Sequence, residues 1–295
     1  MTDIFGIPLQ AWFGQAMIGL VNGSFYALLS LGLAVIFGLL NIINFAHGAL
    51  YMTGAFVAWM LLNYLGLGYW WALVLSPLVV GVFGMLIEKT MLKHLYKLDH
   101  LYGLLLTFGL ALILEGSFTN AYGVSGSPYQ IPSALSGGFN LGFMFMPKYR
   151  AWVVAASVVV CLSTWYVIER TKLGSYLRAG TENPALTQAL GINVPLMVTL
   201  TYGTGVALAA LAGVLAAPVY QVQPLMGSNL IIVVFAVVVI GGMGSILGSI
   251  VTGLALGLIE GLTKVVYPEA SSTVVFVIMA IVLLLRPAGL FGREK

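Results

Sequence analysis

The polar side chains of the N-terminal third are those best suited to contact a small solute. They stand in otherwise apolar sequence and comprise Asn22, Ser24, Tyr26, Ser30, Asn41, Asn44 and His47. Polar groups in apolar surroundings are costly, so they usually face a helix-bundle interior or an aqueous path. Asn41, Asn44 and Gly48 have the i, i+3, i+7 spacing of one helix face. This face either hydrogen-bonds a passing solute or bridges neighbouring helices, and both interpretations stay open.

A second candidate group lies further along the chain, where Glu115 follows Thr107 by two helical turns. A carboxylate in an apolar helix could bind a solute ammonium, carry a proton, or stay protonated near the outer surface. The position of Glu115 near the outer end of its apolar stretch favours the third alternative. The candidate residues for a solute path are thus Asn22, Asn41, Asn44, His47, Thr107 and Glu115.

Enzyme chemistry finds little support in the sequence. Gly123–Gly126 spells the G-x-S-G pattern of intramembrane serine proteases, but it lies in the turn-rich loop 120–150, and no histidine follows in a later apolar stretch to act as its base. The single Cys161 provides neither a disulfide framework nor a metal cluster. A phosphate-binding G-x-x-x-x-G-K-[ST] loop does not occur. We expect no catalytic residue, no metal and no cofactor on this chain.

The composition defines the class of protein. The chain has 295 residues, of which 60% are hydrophobic and 7% charged, against about 25% charged in an average soluble domain; its mean hydropathy is +1.04. No charged residue occurs between Asp3 and Glu88 or between Glu182 and Glu260. These values exclude a soluble enzyme, a disordered regulator and a nucleic-acid binder, and long continuous apolar runs exclude a membrane barrel. The sequence predicts an all-α polytopic membrane protein.

The apolar stretches predict about nine spans or half-spans. They run approximately over 12–40, 46–66, 69–88, 101–120, 151–168, 196–216, 229–241, 246–263 and 273–286. The first stretch is long enough to be one tilted helix or a helix followed by a broken segment. The start of the chain has no basic region, so we expect no cleavable signal.

The cations predict the orientation, because positive residues favour cytoplasmic loops. Nine of them fall in three groups that should be cytoplasmic: Lys89, Lys93, Lys97; Arg170, Lys172, Arg178; and Arg286, Arg293, Lys295. The N-terminus is then outside and the C-terminus inside, and 229–263 must turn in its middle. Gly241–Ser245 provides that turn.

Glycines predict close helix packing after this turn. The chain has 36 glycines, and small residues let helix backbones approach closely in lipid. Gly244 and Gly248 are four apart, and Gly253, Gly257 and Gly261 repeat the spacing. Glu260 has Lys264 at i+4, which predicts a simple helix-surface ion pair.

The loop 169–195 predicts a short helix with an exposed apolar face. Asn183 is suited to be its N-cap, Pro184 its first residue and Gly191 its terminator. Leu186, Ala189 and Leu190 would share one face at i, i+3, i+4. Such a face needs a partner protein, a groove on its own bundle, or lipid headgroups.

Three segments together carry a resemblance to a known family. The first runs from Asn22-Gly-Ser-Phe-Tyr-Ala-Leu through Asn41-Ile-Ile-Asn-Phe-Ala-His-Gly48, and the second from Arg178-Ala-Gly-Thr-Glu-Asn-Pro184 through Leu190-Gly-Ile-Asn193. The third joins Gly241-Gly-Met-Gly-Ser245 and Gly248 to the ending Arg286-Pro-Ala-Gly-Leu-Phe-Gly292. The chain resembles, from end to end, the permease subunits of branched-chain amino acid ABC importers, in particular the shorter of the two paired permeases.

The resemblance implies a single transmembrane permease domain over 1–295 in a bacterial inner membrane. Its partners would be a second homologous permease, two ATPases that bind ATP with Mg, and a periplasmic solute-binding protein. Residues 174–191 resemble the segment that couples permease to ATPase, which gives candidate coupling roles to Arg178, Thr181, Glu182, Asn183, Pro184, Leu186, Leu190 and Gly191. The Gly-rich turn resembles the family's late hinge, with Gly241, Gly242, Gly244 and Gly248 as its residues.

The implied solute is leucine, isoleucine or valine, moved inward by alternating access. Related permeases serve urea, short amides and aromatic acids, so another small solute is the first alternative. A carrier that works alone is the second, and it would ask Glu115 to bind a proton or a cation.

Overall fold

The computed structural model describes residues 3–4, 6–40, 43–96, 98–142 and 144–292. These form eleven α-helices: α1 Leu9–Leu40, α2 Ala46–Leu65, α3 Tyr69–Thr90, α4 His100–Tyr122, α5 Lys148–Arg170, α6 Lys172–Glu182, α7 Pro184–Ala189, α8 Val194–Tyr220, α9 Ser228–Gly241, α10 Ile246–Val266 and α11 Val274–Leu285. Strands β1 (Asp3–Ile4) and β2 (Ile7–Pro8) pair antiparallel, as do β3 (Gly138–Asn140) and β4 (Phe145–Pro147). The all-α membrane fold predicted from the sequence is confirmed.

Each predicted apolar stretch corresponds to one helix. Within the described ranges, seven helices are long and apolar enough to cross a membrane, namely α1 to α5, α8 and α10, and two apolar helices are shorter, α9 and α11. At 1.5 Å per residue, the 14 residues of α9 span about 21 Å, less than the ~30 Å hydrocarbon core of a bilayer. The stretch 12–40 forms one unbroken helix, so the alternative of a broken segment is wrong. Helix α6 was not predicted.

The chain divides into two compact units. The first unit comprises 1–30, 131–161 and 233–295, and the second comprises 31–130 and 162–232.

In the first unit, α10 packs against the N-terminal part of α1 through glycines. A Cβ on Gly257 would lie within 3 Å of the Gly23 backbone, and one on Gly253 would meet the Ala27 backbone equally closely. The predicted packing stripe is therefore present. Lys264 forms an ion pair with Glu260 at 2.7 Å, as predicted, and the Tyr26 hydroxyl donates to the same carboxylate at 2.7 Å.

In the second unit, α8 is the central helix and packs against both α2 and α3, while α2 also contacts α3 and α4. Small residues set the spacing, since Gly54 lies against the Ala210 backbone and Gly213 against that of Tyr51. Core residues between these helices include Leu50 and Val206, both fully buried.

Replacing Gly257 with Leu should destabilise the protein, because the new side chain would meet α1 backbone atoms that cannot rotate away. Overpacking of this kind costs about 3 kcal/mol, which lowers Tm by roughly 6–12 °C in a chain of this size. The measurement is thermal unfolding in detergent. The matched control is Gly109→Leu, at a glycine with open space around its would-be Cβ. Equal melting of the two variants would contradict the packing role of the stripe.

Candidate functional site

Two of the predicted path residues lie in the interior of the second unit. Asn44 and His47 are both fully buried at the start of α2. The Asn44 carbonyl accepts the backbone N–H of His47 at 3.3 Å, which forms the first turn of the helix. The His47 ring lies against Gly32 of α1, where a Cβ would come within about 3.0 Å of the imidazole. The sequence correctly placed both side chains in apolar surroundings.

Two more buried polar side chains lie on α2 and α8: Tyr202 interacts with Asn44, whereas Tyr51 interacts with Tyr220. Tyr51 follows His47 by one turn of α2, and Tyr202 comes from α8; both are almost fully buried. Sequence analysis missed them because tyrosine also fills apolar cores. The available signal was spacing, since Asn44, His47 and Tyr51 stand at i, i+3, i+7.

Several polar atoms of this group are unsatisfied. Among the described residues, the Asn44 side-chain amide and the hydroxyls of Tyr51 and Tyr202 have no hydrogen-bond partner of good geometry. Asn44 and Tyr202 do interact electrostatically, but without that geometry. An unsatisfied buried polar group costs about 1–3 kcal/mol. Such groups are rare in folded proteins, and a concentration of them calls for a water, an ion or a functional role.

The other predicted path residues are dispersed. Asn22 is half-buried on α1 in the first unit. Asn41 lies outside the described residues. Glu115 is half-buried on α4, and its carboxylate interacts with the Ser228 hydroxyl at the start of α9.

Thr107 stabilises the break between α1 and α2. Phe45 stands at the N-cap of α2, where its own side chain cannot accept a hydrogen bond. Its backbone N–H instead donates to Thr107 Oγ1 at 3.1 Å. The same hydroxyl lies 3.2 Å from the Ile43 carbonyl and 3.0 Å from that of Leu104, so its proton is shared between two acceptors. Thr107 thus caps a helix from a neighbouring helix.

The short helix predicted in the loop 169–195 is present as α7. The Asn183 side chain accepts the backbone N–H of Leu186 at 3.0 Å, Pro184 occupies the first turn, and Gly191 follows with φ of 85°. Leu186 and Leu190 are 59% and 75% exposed. Both signals that predicted this helix, its cap and its terminator, act locally, which is why they could be found from the sequence.

The remaining coupling candidates lie on α6. Arg178 forms a 3.6 Å ion pair with Glu169, half-exposed on both sides and therefore worth little. The Thr181 hydroxyl donates to the Arg178 carbonyl of its own helix at 2.8 Å. Glu182 is exposed at the last residue of α6.

The Gly-rich turn joins α9 to α10 within the first unit. Gly242 and Gly244 have φ of 99° and 89°, a conformation that favours glycine. The Ser245 hydroxyl then caps α10 by accepting the Gly248 N–H at 3.1 Å. Backbone N–H groups of Leu290 and Phe291 donate to the last carbonyls of α9, at 2.8 and 3.2 Å. The structure thereby joins the two parts of the third resemblance segment, which are distant in sequence.

Glu88 is a buried carboxylate that sequence analysis did not single out. It lies in the last turn of α3 and is 2% exposed. The Tyr96 hydroxyl donates to its Oε1 at 2.6 Å, and the Thr199 hydroxyl donates to its Oε2 at 2.5 Å. Burial and the hydrogen bond to Glu88 raise the pKa of Tyr96, which keeps the phenol protonated as a donor. Sequence analysis missed Glu88 because Lys89, Lys93 and Lys97 are close to it in sequence and indicated an exposed charged loop.

The helices, the buried polar group and the exposed short helix together indicate a class of protein, and comparison with known proteins gives the same class. A polytopic helical chain with a buried polar group and an exposed short helix has features expected of a transport permease subunit. Residues 15–284 match the family described as "Branched-chain amino acid transport system / permease component", and the chain belongs to this family.

Two permeases of branched-chain amino acid transport systems match nearly the whole chain, and a ribose permease matches part of it. It is 30% identical to the high-affinity branched-chain amino acid transport system permease protein LivH of Escherichia coli, over 100% of this chain and 99% of the relative. It is 33% identical to BraD of Pseudomonas aeruginosa, a permease of the same description, over 95% and 96%. The ribose import permease protein RbsC of Escherichia coli is 28% identical over 72% and 65%. No solved structure matches the chain. The protein is thus a multi-pass membrane permease subunit.

Replacing Thr107 with Val should weaken the start of α2, because it leaves the Phe45 N–H without its acceptor. Loss of a cap costs about 1–2 kcal/mol, and we expect a Tm lower by roughly 3–6 °C in detergent. Thr107→Ser should stay close to the parent, since it keeps the hydroxyl. Thr90→Val is a control at an exposed threonine that bonds only its own helix. A stable Thr107→Val would contradict the capping role.

Proposed function

We propose that the chain is one of two permeases of an ATP-driven importer that carries leucine, isoleucine or valine into the cytoplasm by alternating access. A periplasmic solute-binding protein would deliver the solute, and two separate ATPases would bind ATP with Mg. Helix α7, as the coupling helix, and the loop with Lys89, Lys93 and Lys97 then face the cytoplasm, with the N-terminus outside. The permease itself carries out no chemical reaction.

The exposed apolar face of α7 is the observation that carries this proposal. Leu186 and Leu190 are the kind of side chains that a partner's groove buries. The Thr187 hydroxyl is buried and lies 3.0 Å from the Ala179 carbonyl of α6 and 2.9 Å from the Asn183 carbonyl, so its proton is shared between α6 and the start of α7. An exposed apolar face on a helix that packs against α6 is suited to bind a partner protein.

The same segment leads directly into the core of the second unit. Gly191 ends the coupling segment, and the Asn193 side chain caps α8 by accepting the Leu196 N–H at 3.1 Å. Helix α8 carries Tyr202, which interacts with Asn44. A displacement of α7 would therefore move α8 and open or close the surroundings of the buried polar group, which supports its assignment to the solute path.

Similarity to known permeases favours branched-chain amino acids as the solutes. LivH and BraD, both permeases of high-affinity branched-chain amino acid transport systems, match almost the entire chain, whereas the ribose permease covers less of it. Uncharged amide and hydroxyl groups such as those of Asn44 and Tyr51 suit weak contacts with a passing zwitterion, and a separate binding protein would provide the selection.

Purification from the native membrane in mild detergent should recover, by mass spectrometry, an ATPase with a phosphate-binding loop and a second permease. Leu186→Asp should lose most of the ATPase, because a central apolar contact is worth about 2 kcal/mol or more, roughly a thirtyfold change in affinity. Leucine uptake should fall in parallel, and Pro184→Gly should give a smaller loss. Leu141→Asp, at an exposed leucine of the loop between α4 and α5, is the control.

Recovery of the chain alone, with uptake driven by an ion gradient, would overturn the importer proposal in favour of a carrier. Unchanged ATPase recovery and uptake in Leu186→Asp would refute only the docking role of α7 and would leave the importer proposal in place.

Replacing Asn44 with Leu should lower leucine uptake about tenfold while leaving ATPase recovery unchanged. The estimate follows from loss of one solute hydrogen bond of about 1.4 kcal/mol. Uptake into proteoliposomes that contain the complete complex is the measurement. Asn63→Leu, at an exposed asparagine near the other end of α2, is the control. Normal uptake by Asn44→Leu would make the buried polar group purely structural.

A further inference from the structure

A cleft of about 980 Å³ opens in the second unit beside the coupling segment. The end of α3, the following loop, the start of α4, α6 to α7 and the start of α8 surround it. Its size is at the upper end of what small-molecule sites have. Apolar groups form most of its surface, among them Ile43, Leu92 and Val198, while Asp99 and His100 are among the ionisable residues that also line it.

Glu88 is the charged group buried in the wall of this cleft. An ionised carboxylate has about four acceptor positions. The hydroxyls of Tyr96 and Thr199 fill two of them. In the ranges that the structure describes, no Lys, Arg or His nitrogen lies within 4 Å of this carboxylate, since the ion pairs found there involve Glu169 and Glu260.

Within the described ranges, Glu88 is held by two hydroxyl donors and is not part of an ion pair. A buried carboxylate without a cationic partner is costly. The last turn of a helix raises the cost, because the helix dipole is negative there, and Glu88 stands in the last turn of α3. A ligand that brings one positive group into the cleft would lower this cost, and the acceptor positions of Glu88 that no described residue fills suit an ammonium that donates hydrogen bonds.

We propose that this cleft binds a small aliphatic amino acid, with its ammonium on Glu88 and its side chain against the aliphatic wall. The proposal rests on the proposed function, since it takes the cleft as the last site that the solute occupies before release. Lys89 and Lys93 line the cleft and are exposed, and their ammonium groups suit the ligand's carboxylate. The three chemical features of a branched-chain amino acid thus each have a counterpart.

The location of Thr199 links this site to the transport cycle. Its hydroxyl donates to one oxygen of Glu88. Thr199 is the sixth residue of α8, the helix that follows the coupling segment. A displacement of α8 by α7 would move that hydroxyl and change how strongly Glu88 holds an ammonium. Release of the solute would then follow the movement of the ATPases.

The test is site-specific protection in the full chain, reconstituted in lipid nanodiscs. His94→Cys places a reactive thiol on an exposed residue that lines the cleft, while the natural Cys161 is buried. Saturating L-leucine should slow maleimide labelling at residue 94 at least fivefold. The amine 3-methylbutylamine should also protect, because it keeps the ammonium, and the acid 4-methylpentanoate should not.

Adding Glu88→Gln should raise the leucine concentration needed for half protection at least tenfold, and Glu88→Asp should restore part of the affinity. Glu269→Gln, at an exposed carboxylate of the first unit, should leave it within twofold of the parent. The comparison of amine with acid requires no change at Glu88, so the proposal remains testable if Glu88→Gln fails to fold. Protection by the acid but not the amine, or protection that Glu88→Gln leaves unchanged, would overturn it.

Failure of this site and failure of the proposed function give different results. If the complete complex takes up leucine but neither leucine nor the amine protects residue 94, the cleft is not a solute site and the importer stands. If the amine protects through Glu88 while leucine neither protects nor is transported, the ammonium site stands and the proposed solute is wrong.

Discussion

Close approach of helix backbones is the constraint on which the rest of this structure depends. Lipid offers no hydrophobic drive for helices to associate, so contact between them must come from packing at short range. In the second unit, Gly54 and Gly213 bring α2 and α8 within backbone contact. In the first unit, Gly257 does the same for α10 and the N-terminal part of α1. Larger side chains at these positions would separate the helices and expose polar backbone.

The same tight packing removes a few polar side chains from water, which makes them candidates for a functional role. While α2 and α8 are in backbone contact, Asn44 and Tyr202 have no access to solvent. Hydroxyls elsewhere resolve this problem by donating to a carbonyl of their own helix, as Thr53 does to that of Ala49. Asn44, Tyr51 and Tyr202 do not find such partners among the described residues. Other interactions in the same unit must offset their cost.

Much of the fold was predictable because its signals are local, whereas much of the site was not. Apolar runs predicted each membrane helix, and Asn183, Pro184 and Gly191 predicted α7, because caps and terminators act within one helical turn. Packing by Gly253 and Gly257 followed from their spacing alone. Thr107 as a cap for α2 joins residues 62 apart, and Thr199 reaches Glu88 across 111 positions. No periodicity in a single sequence reports such pairs. Helix α6 was missed because its buried face consists largely of glycines, at Gly174 and Gly180.

These long-range contacts also decide how a short exposed helix can act on distant groups. Helix α7 is held to α6 by the Thr187 hydroxyl and continues through Gly191 into the cap of α8. Along α8, Thr199 meets Glu88 and Tyr202 meets Asn44, so both polar groups depend on the position of one helix. An equilibrium shifts only by as much as an effector favours one state over the other. A partner that covers Leu186 and Leu190 in one position of α7 would therefore change both surroundings at once, whereas a solute that binds at either would favour one position of α7 in return.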